Sequence, residues 1–403
     1  MLGQLRFERM WPKRQIKESY DVVIIGAGVH GLATAYYLAQ QGVRNICVLE
    51  KGYLGSGNSG RNTAIIRANY RTAEGIPFYS ESVKLYEELS ATLGYNVMFS
   101  QQGHLTLAHS DSSINGLRVR AETNQALGVD SRMIYPDEIK RLVPAIDISS
   151  HPRYPIMAAL YHPPGGIIRH DAVVWGYARE ASRLSVEIHT HTEVTSLSRQ
   201  NGSMDGVRTN RGNIRTGTVV NATSGWCSVV ARMAGVDLPI ISHPLQACVT
   251  EPMQPLLNKV IVSANLHVYV SQTPRGEFVM GAEIDPYQSY SLRSTLPTLQ
   301  MIASHAVELF PCLAKVRILR QWGGVCDMTP DYSPIISDVP GVKGFYLDVG
   351  WGTYGFKAGP VAGKYLAKFI ASGKRPELIW PFSFSRFSEN KLVGEKAAAA
   401  VSH

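Results

Sequence analysis

The sequence predicts an α/β protein, α+β overall, in which a parallel βαβ domain is joined to a second domain built on an antiparallel sheet. Three observations predict it. Near the N-terminus an apolar, β-branched run turns through closely spaced glycines into a segment of helical period. Strand-to-turn signals of the same kind return far downstream, at 218–228 and 344–370. Between them lie alternating segments such as LTLAH at 105–109 and LHVYVSQTPRGEFVMGAEID at 266–285, the latter a hairpin about Pro274-Arg275-Gly276.

The first element, YDVVIIG at 20–26, has the unbroken apolar character of a strand buried on both faces. Gly26-Ala27-Gly28-Val29-His30-Gly31 comes next, then LATAYYLAQQG at helical spacing, stopping at Gly42. ICVLEKG is the second strand and ends on Glu50, 19 residues beyond Gly31. Strand, glycine turn, helix, strand and acid in this order form the dinucleotide fingerprint of a Rossmann-like domain. The glycines allow a tight turn and close approach to a pyrophosphate, and the acid accepts hydrogen bonds from a ribose. Gly26, Gly28, Val29, His30, Gly31, Glu50 and Lys51 are therefore candidate cofactor contacts.

The segment after Glu50 favours FAD over NAD. Instead of another compact βαβ unit comes GYLGSGNSGRNTAIIRANY at 52–70, a loop of exposed N–H groups with Arg61, suited to a second set of phosphate oxygens. Asn58, Ser59, Arg61, Asn62 and Thr63 are its candidate contacts. Downstream, TVVNATSGWCS at 218–228 reads as a strand entering a small-residue turn, with Ala222, Gly225 and Trp226 as candidates and Val194 beside them. At 344–370, GFYLDVG reads as a strand, WGTYGF as a glycine loop and KAGPVAGKYLAKFI as a helix whose N-terminal dipole faces an electron-rich ring. Gly350, Gly352, Thr353, Gly355, Phe356 and Lys357 are the candidates there.

Composition narrows the function classes. The chain has 403 residues, 45% hydrophobic and 18% charged, enough for a sizeable core and, at ~150 residues per domain, two or three domains. No apolar run approaches the ~20 residues of a membrane-spanning helix, and residues 1–19 lack the apolar stretch of a signal peptide, so a cytoplasmic protein with no membrane contact is expected. Five cysteines without CxxC spacing argue for reduced thiols and for neither a disulfide framework nor a metal site. The net charge of +8 is spread without runs or an aromatic-interleaved stripe, which speaks against a nucleic-acid partner and suits anionic cofactors and a carboxylate substrate. No repeat is present, and a short Ala-rich run at 397–400 reads as a frayed tail.

These pieces together resemble the D-amino-acid-oxidase-like family of flavoproteins, from about Ser19 to Phe384. Closer still, YDVVIIGAGVHGLATAYYLA, NTAIIRANY, PGGIIRHDAVVWGYAR and TPDYSPIIS are similar to the heterotetrameric sarcosine oxidases within it. The resemblance implies an FAD-binding domain made of 20–95, 152–236 and 322–385, a substrate domain of 96–151 and 237–321, an N-terminal extension at 1–19 and a C-terminal tail at 386–403. It also implies a substrate sheet roofing the flavin, and, as partners, a larger α subunit with small γ and δ subunits.

Oxidising a secondary amine to an imine requires the C–H bond to be held against the flavin, and an amino acid substrate needs its carboxylate held as well. Arginine does this with a fork, lysine with a point charge. Arg67 and Lys357 fall where the family places its carboxylate-binding cations. Taken alone, Arg67 reads as a structural ion-pair residue, whereas a cation at the start of a helix, as at Lys357, opposes the helix dipole. Tyr269 and Thr353 are lesser candidates for lining the site, and Tyr269 equally suits cross-strand packing.

His170, before an apparent helix for which Asp171 serves as N-cap, carries no signal by itself. The resemblance makes it the attachment point of a covalent FMN, a second flavin lying toward the α subunit; Ala172 stands where relatives can show another histidine. Aligning on Thr329-Pro330-Asp331 puts Gly324 at the position where monomeric relatives tether FAD through cysteine, so FAD is expected to be noncovalent and Cys326 an ordinary buried thiol. Val279 replaces the lysine by which those relatives activate O₂. The implied activity is oxidative demethylation of sarcosine to glycine and a one-carbon unit, electrons passing from FAD to FMN. Three alternatives remain: the amine-oxidising subunit of an N-methylglutamate dehydrogenase or of a proline or D-hydroxyproline dehydrogenase, a noncatalytic flavin-binding subunit, and an NAD dehydrogenase.

Overall fold

The β-branched run Val22–Ile25 lies at the middle of a nine-stranded sheet, with every residue buried. It pairs in parallel with Ile46–Leu49 on one side and with Val219–Asn221 on the other, so that Val23 faces both Cys47 and Val219. A computed structural model of the chain describes residues 10–395; residues 1–9 of the expected extension and 396–403, with the Ala-rich run, lie outside the described residues. Alternation sends Val22 and Ile24 to one face, against helices Val29–Gln40, His170–Arg183 and Gly355–Ser372, and Val23 and Ile25 to the other, against Cys227–Met233. Because the strands next to Val22–Ile25 are reached by connections leaving in opposite directions, a crevice opens at their carboxyl ends.

The glycine turn is dictated by contact. A Cβ on Gly31 would stand 1.9 Å from the Gly26 carbonyl oxygen, so only glycine lets helix Val29–Gln40 start so close to the strand. That helix crosses Gly355–Ser372 where Val29 packs on Gly359: a Cβ there would lie 2.4 Å from Val29 Cγ2. The dinucleotide turn and the C-terminal helix are thereby locked as one body.

A second sheet of eight strands runs in the order Ile318–Met328, Ile241–Pro252, Glu277–Ile284, Val268–Gln272, Val260–Ser263, His104–Ala108, Ala158–His162, Arg132–Ile134. Helix Leu296–Leu309 packs on its apolar face at strands Ile241–Pro252, Val268–Gln272 and Glu277–Ile284, in a core that gathers Val270, Phe278 and Met280 with Leu105, Leu107 and Ile261. The expected hairpin is present, with Tyr269 opposite Gly281. Three features differ from expectation. The sheet is antiparallel except where Val260–Ser263 runs parallel to His104–Ala108. Strand Ala158–His162, placed by sequence in the FAD-binding segment 152–236, belongs to this sheet, with His162 paired to His104. Strand Ile318–Met328 crosses the expected boundary at 321/322. Pairing partners distant in sequence decide all three, and the local period of one segment carries no record of them.

All five cysteines are free, four of them buried. Among the described residues no helix is long and apolar enough to cross a membrane.

Candidate functional site

A cavity of about 510 Å³ lies between the carboxyl ends of the first sheet and the face of the second that carries Tyr269 and Ala247. It is lined by Gly26, Gly28, Val29, His30, Glu50, Lys51, Asn58, Ser59, Arg61, Asn62, Thr63, Val194, Ala222, Trp226, Gly352, Thr353, Gly355 and Phe356, together with Arg67, Tyr269 and Lys357. Three of the expected contacts stand behind the wall instead. Gly31 abuts the Gly26 carbonyl, Gly225 packs on Val325, and the Gly350 N–H donates to Asp327 Oδ2 at 2.6 Å. Asp327 is completely buried, and burial pushes its carboxyl up to about 6 against the backbone N–H groups it accepts.

At the dinucleotide end, Glu50 Oε2 accepts from Ala27 N at 3.0 Å, and Oε1 accepts from Gly52 N at 2.7 Å and Ser56 Oγ at 3.2 Å. The acid thus fixes the turn as well as facing the cavity. Ser59 Oγ accepts from Val29 N at 2.9 Å, meeting a free donor at the helix start. Asn58 spends its amide on the scaffold, since its Oδ1 accepts from Val325 N at 2.9 Å and its Nδ2 donates to Ser224 Oγ at 2.8 Å. Arg61 Nε is buried without a partner among the described residues while Lys51 Nζ sits 4.0 Å over the Trp226 ring. A buried guanidinium nitrogen without an acceptor, lining the same cavity as the start of helix Val29–Gln40, suits a phosphate oxygen, so this end fits a dinucleotide such as FAD.

His30 joins the turn to the C-terminal loop. Its Nδ1 lies 3.0 Å from Asp348 Oδ1, its Nε2 2.8 Å from the Gly355 carbonyl, and its ring 4.4 Å from Trp351. Burial opposes a proton on this imidazole, but the Asp348 carboxylate, the Gly355 carbonyl and Asp327 together outweigh it and raise the pKa.

The opposite end is cationic. Arg67 comes directly after strand Ile65–Ile66 and is 2% exposed. Its Nη1 donates to the Asn69 carbonyl at 3.0 Å and to Asn69 Oδ1 at 2.9 Å, and its guanidinium lies 4.4 Å over Tyr70. Arg120, which sequence reasoning missed, donates through Nε to the same Asn69 carbonyl at 2.7 Å. Lys357, the third residue of helix Gly355–Ser372, is held down to about 7 by burial and by Arg67. Two cations facing one space call for an anion between them. The Tyr269 phenol is hydrogen-bonded to Thr63 and raised by burial. A second missed residue, His104, lines the same end.

His170 does not line the cavity. It opens helix His170–Arg183, its Nδ1 is buried without a partner among the described residues, and its ring centroid lies 6.5 Å from that of Phe356, which does line it. Burial lowers its pKa. The helix is capped differently from expectation. Arg169, with extended backbone, is the N-cap, and Asp171 lies within the first turn, its Oδ1 accepting from Ala172 N at 2.9 Å and from Arg169 Nε at 2.9 Å. Cys326 and Gly324 both line the cavity, the Cys326 thiol pushed up by burial. Val279 lies two residues from Gly281 on the strand and is not part of the lining.

A family model described as FAD dependent oxidoreductase matches residues 21–369. The "Sarcosine oxidase subunit beta" of an Arthrobacter species is 46% identical over 397 residues, 98% of either chain. That of Rhodobacter capsulatus is 43% identical over 398 residues, 98% of this chain and 95% of its own. Among solved structures, L-proline dehydrogenase from P. horikoshii matches with a TM-score of 0.88 at 29% identity, over 94% of this chain and 100% of that one.

Proposed function

The chain belongs to the FAD dependent oxidoreductase family, of D-amino-acid-oxidase-like fold, and from that premise we propose that it oxidises the CH–NH bond of an N-methyl amino acid, sarcosine foremost, as the amine-oxidising β subunit of a sarcosine oxidase. One observation carries the reading: Arg67 and Lys357 face the end of a cavity whose other end is the dinucleotide turn.

The turn at Gly26–Gly28, Glu50, Ser59 and Arg61 would hold FAD noncovalently, and FAD when bound supplies the two-electron oxidation. The chain's own part is to grip and orient. Arg67 and Lys357 clamp the carboxylate, Arg67 as a guanidinium already set by Asn69 and Lys357 as a point charge. Tyr269 and Thr353 bound the space around the reacting carbon. The imine product hydrolyses to glycine and formaldehyde. Val279 stands where the monomeric relatives carry their O₂-activating lysine, and on that resemblance we read oxygen as a poor acceptor for FAD in this chain.

We further read His170 as the attachment point of a covalent FMN. A neutral, buried imidazole with a free nitrogen, beside Phe356 on the far side of the cavity wall, supports it. The same reading makes the chain one part of a heterotetramer with a larger α subunit and small γ and δ subunits. Its free, mostly buried thiols support a cytoplasmic setting. A second reading, a cyclic secondary amino acid as substrate, is favoured by the match to L-proline dehydrogenase. Anaerobic mixing of the flavin-loaded protein with sarcosine, N-methylglutamate, L-proline and D-hydroxyproline tests both. Sarcosine reducing FAD fastest supports the first reading, and proline doing so supports the second.

A further inference from the structure

Burial of a polar side chain without a partner is costly, so each instance at a site asks for a ligand. His104 is such an instance. It opens strand His104–Ala108, is 1% exposed and lines the cavity, and neither ring nitrogen has a hydrogen-bond partner among the described residues. Its cross-strand neighbour His162 is just as buried and fully engaged: Nε2 accepts from Ala68 N at 3.1 Å, and Nδ1 lies 2.6 Å from the Asp130 carbonyl. Burial on this strand pair therefore does not by itself deprive an imidazole of partners.

We propose that His104 is the hydrogen-bond acceptor for the substrate's amine N–H, and that it makes the site select secondary over tertiary N-methyl amino acids. The inference rests on the cavity being an N-methyl amino acid site. An α-amino acid carries its amine one carbon from its carboxylate, so a carboxylate held by Arg67 and Lys357 brings the amine to the side chain those cations face. Burial above all, and then the cations Arg67, Arg120 and Lys357, hold its pKa well below the ordinary imidazole value, while its neighbour His162, itself held down to about 4, is neutral. It stays neutral, with one nitrogen lone pair to offer. The same cations disfavour an ammonium, and the amine that can be oxidised is the neutral one, whose nitrogen lone pair becomes the imine bond. A neutral secondary amine has one N–H to give His104. A neutral tertiary amine has none and leaves the imidazole unsatisfied, and such a mismatch is what polar sites reject most strongly.

The test uses the assembled, flavin-loaded enzyme with His104→Leu and His104→Gln. Anaerobic FAD reduction is followed with sarcosine and with N,N-dimethylglycine, and binding of methoxyacetate, a carboxylate with no N–H, is titrated spectrally. The wild type is expected to prefer sarcosine. His104→Leu should lower the sarcosine reduction constant by on the order of 100-fold while leaving dimethylglycine reduction and methoxyacetate binding within about threefold, and His104→Gln, which keeps an acceptor, should recover part of the loss. A parallel loss for both amines and for methoxyacetate, or no loss at all, overturns the role of His104 alone. A wild type that no N-methyl amino acid reduces overturns the underlying reading of the site as well.

Discussion

Tyr86 donates its hydroxyl hydrogen to the Phe356 carbonyl oxygen at 2.5 Å. That carbonyl is the one a residue at 360 would bond through its N–H, and residue 360 is proline, inside helix Gly355–Ser372. Ser82 Oγ donates likewise to the Lys357 carbonyl at 2.5 Å. The first turn of helix Gly355–Ser372, and with it the direction of Phe356 and Lys357, is thus set by side chains of helix Gly75–Thr92.

Removing that hydroxyl exposes the arrangement. Tyr86→Phe should destabilise the fold by ~1–3 kcal/mol, the cost of a buried carbonyl left without a donor, and should weaken carboxylate binding as Lys357 loses its bearing. Urea unfolding and a methoxyacetate titration check the two effects. Unchanged stability and affinity would mean that the helix start holds itself.

Glu50 bears on FAD through two routes, its carboxylate facing the cavity and its bonds to Ala27 and Gly52 holding the turn. Glu50→Ala should weaken FAD binding by ~1–3 kcal/mol, read from the FAD concentration needed to restore flavin absorbance to the apoprotein. Glu50→Gln, which keeps one acceptor for Ala27 N, should lose less.

Lys357 makes substrate binding pH-dependent. The free cavity holds its ammonium at about 7, below the ordinary lysine value, so the cation that grips a carboxylate is present below pH 7 and lost as pH rises through it. The dissociation constant of methoxyacetate should therefore rise above pH 7, by at most about tenfold per pH unit, with one proton taken up on binding. Lys357→Met should flatten that profile and, like Arg67→Ala, cost ~2–5 kcal/mol in FAD reduction by sarcosine while the FAD spectrum stays near that of the wild type. Stopped-flow across pH 6–9 measures both.

The dinucleotide half of this molecule was legible because its signals are local: a β-branched run, a glycine turn and a helical period sit within one stretch from Tyr20 to Glu50. The cationic pair came from the resemblance, since nothing in the sequence near Arg67 or Lys357 shows that they face one cavity. His104 gave no signal, because an imidazole at the head of an alternating strand reads the same whether it points to a core, a partner or a ligand. Sequence alone does not assign strand Ala158–His162 to its sheet for a related reason: its partner His104–Ala108 lies about 50 residues away, and the pairing is made in space. Asp171 looked like a cap by residue type, yet the extended backbone of Arg169 takes that place.

His170 should yield a peptide heavier by one FMN when the chain is made with its partner subunits, and His170→Ala should lose the flavin that survives acid precipitation. FAD reduction by sarcosine should persist in that variant while overall turnover falls, since His170 lies outside the cavity. An unmodified His170 peptide from the active complex would assign the second flavin elsewhere.

If an N-methyl amino acid held by Arg67 and Lys357 is oxidised beside a bound FAD, the most direct measurement is the absorption spectrum of the flavin-loaded complex mixed anaerobically with sarcosine. The FAD band should bleach rapidly, with formaldehyde and glycine formed in step and the bleaching strongly slowed in Lys357→Met. A flavin that stays oxidised in sarcosine and every other secondary amino acid offered would contradict it.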